Sequence, residues 1–264
     1  MTATDGADAA SGPPLLTVAA GRATIRLNRP RQHNRLEPGD IVALMNMLEE
    51  IEAAADVRVL VLTGSGKSFS AGYHIGAISG RGSADRQSEP SFEHLTDRVE
   101  NFRVPTVCAL NGSVYGGATD LALACDFRIG VEGSQMFMPA ARLGLHYYKG
   151  GLRRYVTRLG LAAAKKLFLT AATIDAEEML RIGYLDQVVP AAGLAAAVDV
   201  LVQQLSAVAP LAARGMKRAL NEIARNELDV AAMERAMQAA ARSEDLKEGL
   251  AAWAEKRQPK FQGR

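Results

Sequence analysis

The stretch NGSVYGGATDLALACD, Asn111–Asp126, decides how the chain is read. Asn111-Gly112 ends the β-branched run PTVCAL, and Gly116-Gly117 opens an apolar, alanine-rich segment that reads as a short helix. A strand that turns through glycines into a helix leaves the helix's first N–H groups, and the positive end of its dipole, at the turn. Such a turn stabilises an anion or a developing oxyanion, and glycine lets a ligand come close to the backbone. Asp120 lies one turn in from Gly116. It has two readings: a positioned acid or base, or a charge that complements the dipole.

The same rhythm extends on both sides. LLTVAAGRATIRLNRP reads as a hairpin turning at Ala20-Gly21, and Ile41–Ala55 as a helix following the breaker pair Pro38-Gly39. VRVLVLTG is a buried strand ending at Gly64, SFEHLTDRVENFRV a helix and FRIGV a strand. Alternating strands and helices predict crossover units with parallel pairing. From about Gly151 the chain turns helical and alanine-rich, so an α/β layer followed by a helical layer is expected. Met216, Met233 and Met237 there read as core or interface packing. Residues Met1–Pro13 read as a disordered tail, and Gly80–Pro90 as a mobile, glycine-rich loop.

The totals exclude several classes. At 264 residues with 48% hydrophobic side chains, the chain can bury a sizeable core. A net charge of +2 argues against a nucleic-acid partner. No apolar run approaches the roughly 18 residues of a membrane span, and the start lacks a signal peptide's basic end, so no membrane and a cytoplasmic location are expected. Cys108 and Cys125 sit in apolar runs and read as buried small side chains. His33, His74, His94 and His146 are scattered without ligand spacing, so no metal is expected. Gly66-Lys67-Ser68 resembles the end of a phosphate loop, but Val61 stands where that motif needs glycine. No Gly-x-Ser-x-Gly pattern surrounds Ser113.

Five stretches, in this order and spacing, resemble the crotonase (enoyl-CoA hydratase/isomerase) superfamily. They are IRLNRPRQHNRL, GSGKSFSAGYHI, NGSVYGGATDLALACDFRI, LTAATIDAEEMLRIGYLDQVVP and EKRQPKFQGR, spanning roughly residues 15 to 264. The resemblance implies an α/β fold: a ClpP/crotonase-like spiral of ββα units with a C-terminal helical layer used in trimerisation. It sets the core at residues 14–200 and the helical region at 201–264. It implies that the N–H groups of Tyr73 and Gly117 hold the thioester carbonyl and enolate of an acyl-CoA. Gln32, Ala71, His74, Ile75, Gly116 and Phe261 then contact substrate or CoA, Phe261 toward the nucleotide of a neighbouring subunit. Coenzyme A enters as part of the substrate, with no separate cofactor, and the assembly is a homotrimer or a dimer of trimers.

The chain departs from the family where its acids stand. In the hydratases two glutamates flank a water. Asp120 occupies the first position, one methylene shorter, and Ala140, after Pro139, occupies the second. Some relatives carry an aspartate just before the paired glycines, and here that residue is Tyr148. The family's Asp after the first oxyanion residue is His74. The segment MPAARLGLHYYKGG, Met138–Gly151, therefore offers His146, Tyr147, Tyr148 and Lys149 but no carboxylate. In an extended segment only one of the adjacent tyrosines would face the pocket. His74 and His146 each have a plain reading, a loop tie or a surface histidine, beside an acid–base one. Arg142 and Lys149 read as solvated or interface charges.

Asp120 is the first choice for proton transfer, with Tyr148 or His146 assisting. Three functions stay open: enolate chemistry of the hydratase/isomerase kind, hydrolysis of a thioester or carbon–carbon bond in the same oxyanion hole, and acyl-CoA binding without catalysis.

Overall fold

A computed structural model describes residues 11–74, 76 and 90–264. Residues 1–10 of the expected tail, Ile75, and all but Pro90 of the expected loop lie outside the described residues. The Gly12 N–H donates to the Asn28 carbonyl at 2.8 Å.

The chain is a spiral that shuttles between two sheets. Strands β1 (Leu15–Ala19) and β2 (Arg22–Leu27) form the expected antiparallel hairpin. Ala20 and Gly21 both take positive φ there, 49° and 76°, as tight hairpin turns require. Then β3 (Val59–Gly64), β5 (Thr106–Leu110), β7 (Phe127–Val131) and β10 (Gln187–Val189) add in parallel, giving the order β1-β2-β3-β5-β7-β10. Short strands β4 (Ser68–Ser70), β6 (Ser113–Tyr115), β8 (Gln135–Phe137) and β9 (Ile174–Asp175) make the second sheet in that order. Strands β3, β5 and β7 each pass through a tight turn into the smaller sheet. The parallel crossovers match the alternating pattern of the sequence, and the ββα spiral is the one the family resemblance implies.

Helix α1 (Pro38–Ala53) corrects one boundary. Pro38-Gly39 was expected to precede the helix, but it forms the first turn. Proline has no N–H to lose there, and Glu37 and Asp40 cap the end reciprocally, with the Glu37 N–H donating to Asp40 Oδ2 at 2.9 Å. Next come α2 (Phe92–Glu100), α3 (Gly117–Ala124), α4 (Lys149–Leu159), α5 (Leu161–Thr170) and α6 (Ala176–Arg181). The main core lies between these helices and the sheets and includes Ile25, Leu48, Phe69, Leu95, Leu121 and Tyr155, with both cysteines.

A second apolar layer covers the other face of the large sheet. Helix α7 (Leu194–Ser206) seats Val198 against Val59, Val61, Val107 and Ile129. The domain boundary drawn at residue 200 therefore falls inside a helix that belongs to the sheet. Helices α8 (Pro210–Ala224), α9 (Val230–Ala241) and α10 (Glu244–Glu255) follow. They expose Met216, Leu220, Ile223, Met237, Leu250 and Trp253, the last at 87% of its full accessibility. Among the described residues, no single helix is long and apolar enough to cross a membrane.

Candidate active site

Two asparagines, Asn34 and Asn111 at the carboxyl end of β5, lock the glycine-rich turn that follows β3. Asn34, buried and in the left-handed region at φ 53°, donates its amide to the Ser65, Ser68 and Phe69 carbonyls at 2.8, 2.9 and 3.1 Å and accepts from the Arg29 N–H. Asn111 accepts from the Gly64 N–H and donates to the Gly66 carbonyl at 2.8 Å. Asn34→Ala strips donors from buried carbonyls, so a loss of about 1–3 kcal/mol is expected in urea unfolding. An unchanged midpoint would refute that role.

The first turn then brings Gly72 and Tyr73 beside Leu36. The Leu36 N–H donates to the Gly72 carbonyl at 2.9 Å, and the His74 N–H to the Leu36 carbonyl at 3.0 Å. In such a parallel bridge the Tyr73 N–H points away from Leu36. The second turn meets the first at close quarters. A Cβ on Gly72, which has φ +88°, would come within 2.7 Å of the Tyr115 carbonyl oxygen and 2.9 Å of the Gly117 nitrogen. Only glycine permits that approach. Gly116, at φ 54° and ψ −134°, turns the chain into α3, and its N–H donates to the Phe137 carbonyl at 2.8 Å. The Gly117 N–H thus belongs to a helix's first turn, where amides lack partners within the helix.

Asp120, one turn further, is completely buried. Its carboxylate accepts from Arg154 Nε at 2.9 Å and Nη2 at 2.7 Å, the bidentate fork that suits guanidinium and carboxylate. The Tyr148 hydroxyl donates to the same carboxylate. Arg154, also completely buried, reaches Asp97 at 2.7 Å, Glu100 at 3.2 Å and the Thr96 hydroxyl at 2.8 Å. Asp97, Glu100 and Asp120 thus converge on one guanidinium. Arg154 was read from the sequence only as part of a helix, so its role is new.

Tyr148 caps α4 in extended conformation, and Gly150 and Gly151 follow in the first turn. A Cβ on Gly151 would fall 2.3 Å from the Tyr147 ring, and one on Gly150 would fall 2.8 Å from Asp97 Oδ1. The paired glycines are therefore the sequence signal for this packing. Tyr147 and Tyr148 do not point apart, as an extended segment would require. Their rings stack at 4.4 Å with 26° between planes, because the chain turns into α4 at Tyr148. Burial, reinforced by the Asp120 charge, pushes both phenols well above the ordinary tyrosine value. Burial raises Tyr155 and Tyr184 as well.

A raised folded value means the neutral phenol is favoured in the fold. Its stabilising contribution is complete below the unfolded value near 10 and is lost as pH rises through the folded values. The urea midpoint should therefore fall between about pH 9 and about pH 11. A flat profile would contradict the burial of these hydroxyls.

The remaining sites separate into near and far. Ala71 donates its N–H to the His33 carbonyl at 2.7 Å and lies beside Gly116. Gln32 is exposed on a 3-10 turn, Pro30–Gln32. His74 Nδ1 pairs with the Glu37 carboxylate at 2.9 Å, a side-chain partner rather than the backbone one its plain reading expected. Burial pushes the Glu37 carboxyl up, but Arg35 and His74 outweigh it and hold the group below the usual range. His146 is exposed and bonds the Tyr147 carbonyl at 2.8 Å; no described contact links it to Asp120 or Tyr148. Ala140 is buried in a 3-10 turn, Ala140–Leu143. Arg142 is exposed and lies over the Phe137 ring, and Lys149 is exposed. The Phe261 ring packs on Gly249, and its carbonyl accepts from Arg58 at 2.9 Å. Arg58 precedes β3, whereas the first turn follows it, so Phe261 lies at the opposite end of the strand from Tyr73.

The family model described as enoyl-CoA hydratase/isomerase matches residues 17–264. The chain belongs to that family. It is 31% identical to the crotonyl-CoA hydratase of Syntrophomonas wolfei over 90% of this chain and 94% of the relative. It is also 31% identical to the short-chain-enoyl-CoA hydratase of Clostridium acetobutylicum, over 89% and 92%. The crystal structure of an enoyl-CoA hydratase from Bacillus anthracis superposes with a TM-score of 0.87 at 30% identity, covering 96% of this chain and all of that one. The crotonase fold and membership of an enzyme family are thereby established. At the position of the family's first acid, this chain carries an aspartate clamped by Arg154 and bonded by the Tyr148 hydroxyl.

Proposed function

We propose that the chain processes an acyl-CoA by stabilising its thioester enolate between the Tyr73 and Gly117 N–H groups, with Tyr148 as the proton donor. The meeting of the Gly72–Tyr73 and Gly116–Gly117 turns supports the oxyanion role. The single observation that carries the acid–base reading is the hydrogen bond from Tyr148 to a buried Asp120 that Arg154 clamps.

A phenol whose pKa is raised stays protonated at neutral pH and acts as an acid rather than a base. Asp120 has both oxygens engaged by Arg154, so it serves as the fixed charge that orients the phenol. In hydration, water adds to the β carbon and the thioester becomes the enolate. The Tyr148 hydroxyl turns its proton from Asp120 to the α carbon. The O–H bond breaks as the α C–H bond forms, and the phenolate takes up the surplus proton of the added water. His146, exposed and held locally, has no part in this reading. CoA arrives as part of the substrate, with Gln32 and Ala71 as the residues proposed to contact it.

Crotonyl-CoA hydration and 3-enoyl-CoA isomerisation are the assays that test it, with product followed by mass spectrometry. Turnover of either supports enolate chemistry. Release of free thiol would instead favour hydrolysis, and tight calorimetric binding without any product would favour a binding protein.

The exposed apolar faces of α8, α9 and α10 support a homo-oligomer, a trimer or a dimer of trimers. Light scattering after size exclusion is expected to give a mass at least threefold that of the chain. A monomer at micromolar concentration would refute the assembly.

A further inference from the structure

We infer that Phe92 is the residue that sets acyl length, making this a site for short acyl groups; the inference rests on the acyl-CoA reading above. Phe92 opens α2, and its ring stands against the second turn. A Cβ on Gly117 would meet the Phe92 ring carbons Cε1 and Cζ at 3.1 Å. The same ring lies 5.8 Å from the Tyr73 ring and 6.4 Å, edge on, from that of Tyr148. Phe92 is thus wedged among the three residues that the proposed chemistry uses.

An acyl group whose carbonyl sits at the Gly117 N–H and whose α carbon faces Tyr148 must pass this ring. Helix α2 has little freedom to move it aside. Thr96 and Glu100, four and eight residues on and hence on the same face, are both bonded to the buried Arg154 at 2.8 and 3.2 Å. Thr96 also lies 3.3 Å from the Tyr148 hydroxyl. Interiors packed in this way yield by discrete side-chain changes rather than by gradual deformation. Short acyl groups fit in front of the ring, and long chains collide with it.

The test is calorimetric binding of butyryl-, octanoyl- and dodecanoyl-CoA to the wild type, Phe92→Leu and Phe92→Ala. The wild type is expected to bind butyryl-CoA most tightly. Phe92→Ala is expected to shift the octanoyl-to-butyryl affinity ratio by about tenfold or more toward the long chain, since one methylene in an apolar pocket is worth that much. Phe92→Leu should fall between the two. Binding of all three ligands with unchanged ratios would overturn the assignment of Phe92 and leave the acyl-CoA reading intact. Binding of none by the wild type would overturn both. Far-ultraviolet circular dichroism of each variant shows that the fold is kept.

Discussion

Arg154→Met is expected to cost the fold about 3–5 kcal/mol, a large share of the roughly 5–15 kcal/mol that holds a protein together. The guanidinium is completely buried and is the bidentate partner of Asp120, which is itself completely buried. Removing it leaves a carboxylate in the core with only the Tyr148 hydroxyl. Glu100 keeps Arg153 at 2.5 Å, so the penalty concentrates on Asp120. Guanidinium titration measures it as a drop in midpoint at constant slope. The double replacement Arg154→Met with Asp120→Leu removes both charges and should recover a large part of the loss. A single-variant loss below about 1 kcal/mol would mean that the pair does not anchor α4 to α3.

Tyr148→Phe carries the largest expected effect on activity: a fall in kcat of about a hundredfold to ten-thousandfold, with KM changed little. Only the hydroxyl is removed. The ring stays stacked on Tyr147, and Asp120 keeps both Arg154 bonds. Stability should fall by about 1.5–3 kcal/mol, the worth of a hydrogen bond to a charged group, and circular dichroism at the assay temperature separates this variant from a folding defect. The wild-type rate should show no ionisation of this phenol below about pH 10, because burial and the Asp120 charge push it upward. A Tyr148→Phe enzyme within about threefold of the wild type would remove Tyr148 from proton transfer.

How much of the site was legible in the sequence depends on the range of the forces that build it. The strand Val59–Gly64 could be read because all six of its residues are buried and the run is β-branched. The α3 start could be read because its glycines are neighbours in the chain. The family resemblance, carried onto Pro139-Ala140 and Tyr148 by motif position, pointed to the replaced carboxylates. By contrast, Pro38 looked like a boundary, since capping by Glu37 and Asp40 depends on side-chain directions that a breaker rule ignores. The stacking of Tyr147 on Tyr148 was hidden because it needs the chain to turn at Tyr148, where Gly151 makes room.

Arg154 shows the limit most clearly. In RRYVTRL it is one arginine among several, and helical periodicity identifies apolar faces without saying which cation is buried. Its partner Asp120 is 34 residues away, and its other contacts on α2 are more than 50 away. The pairing exists only once α2, α3 and α4 pack together and exclude water, which makes an unpaired charge costly and a bidentate pair worth keeping. The sequence by itself therefore determined the alternating strands and helices and the two glycine turns, carried by local pattern, while the spiral and the replaced second acid followed from the family resemblance those motifs carry. Tertiary structure alone decided that Asp120 is a clamped charge, that Tyr148 reaches it, and that Phe92 stands in front of Gly117. Each of these depends on which surfaces meet when distant helices are buried against one another.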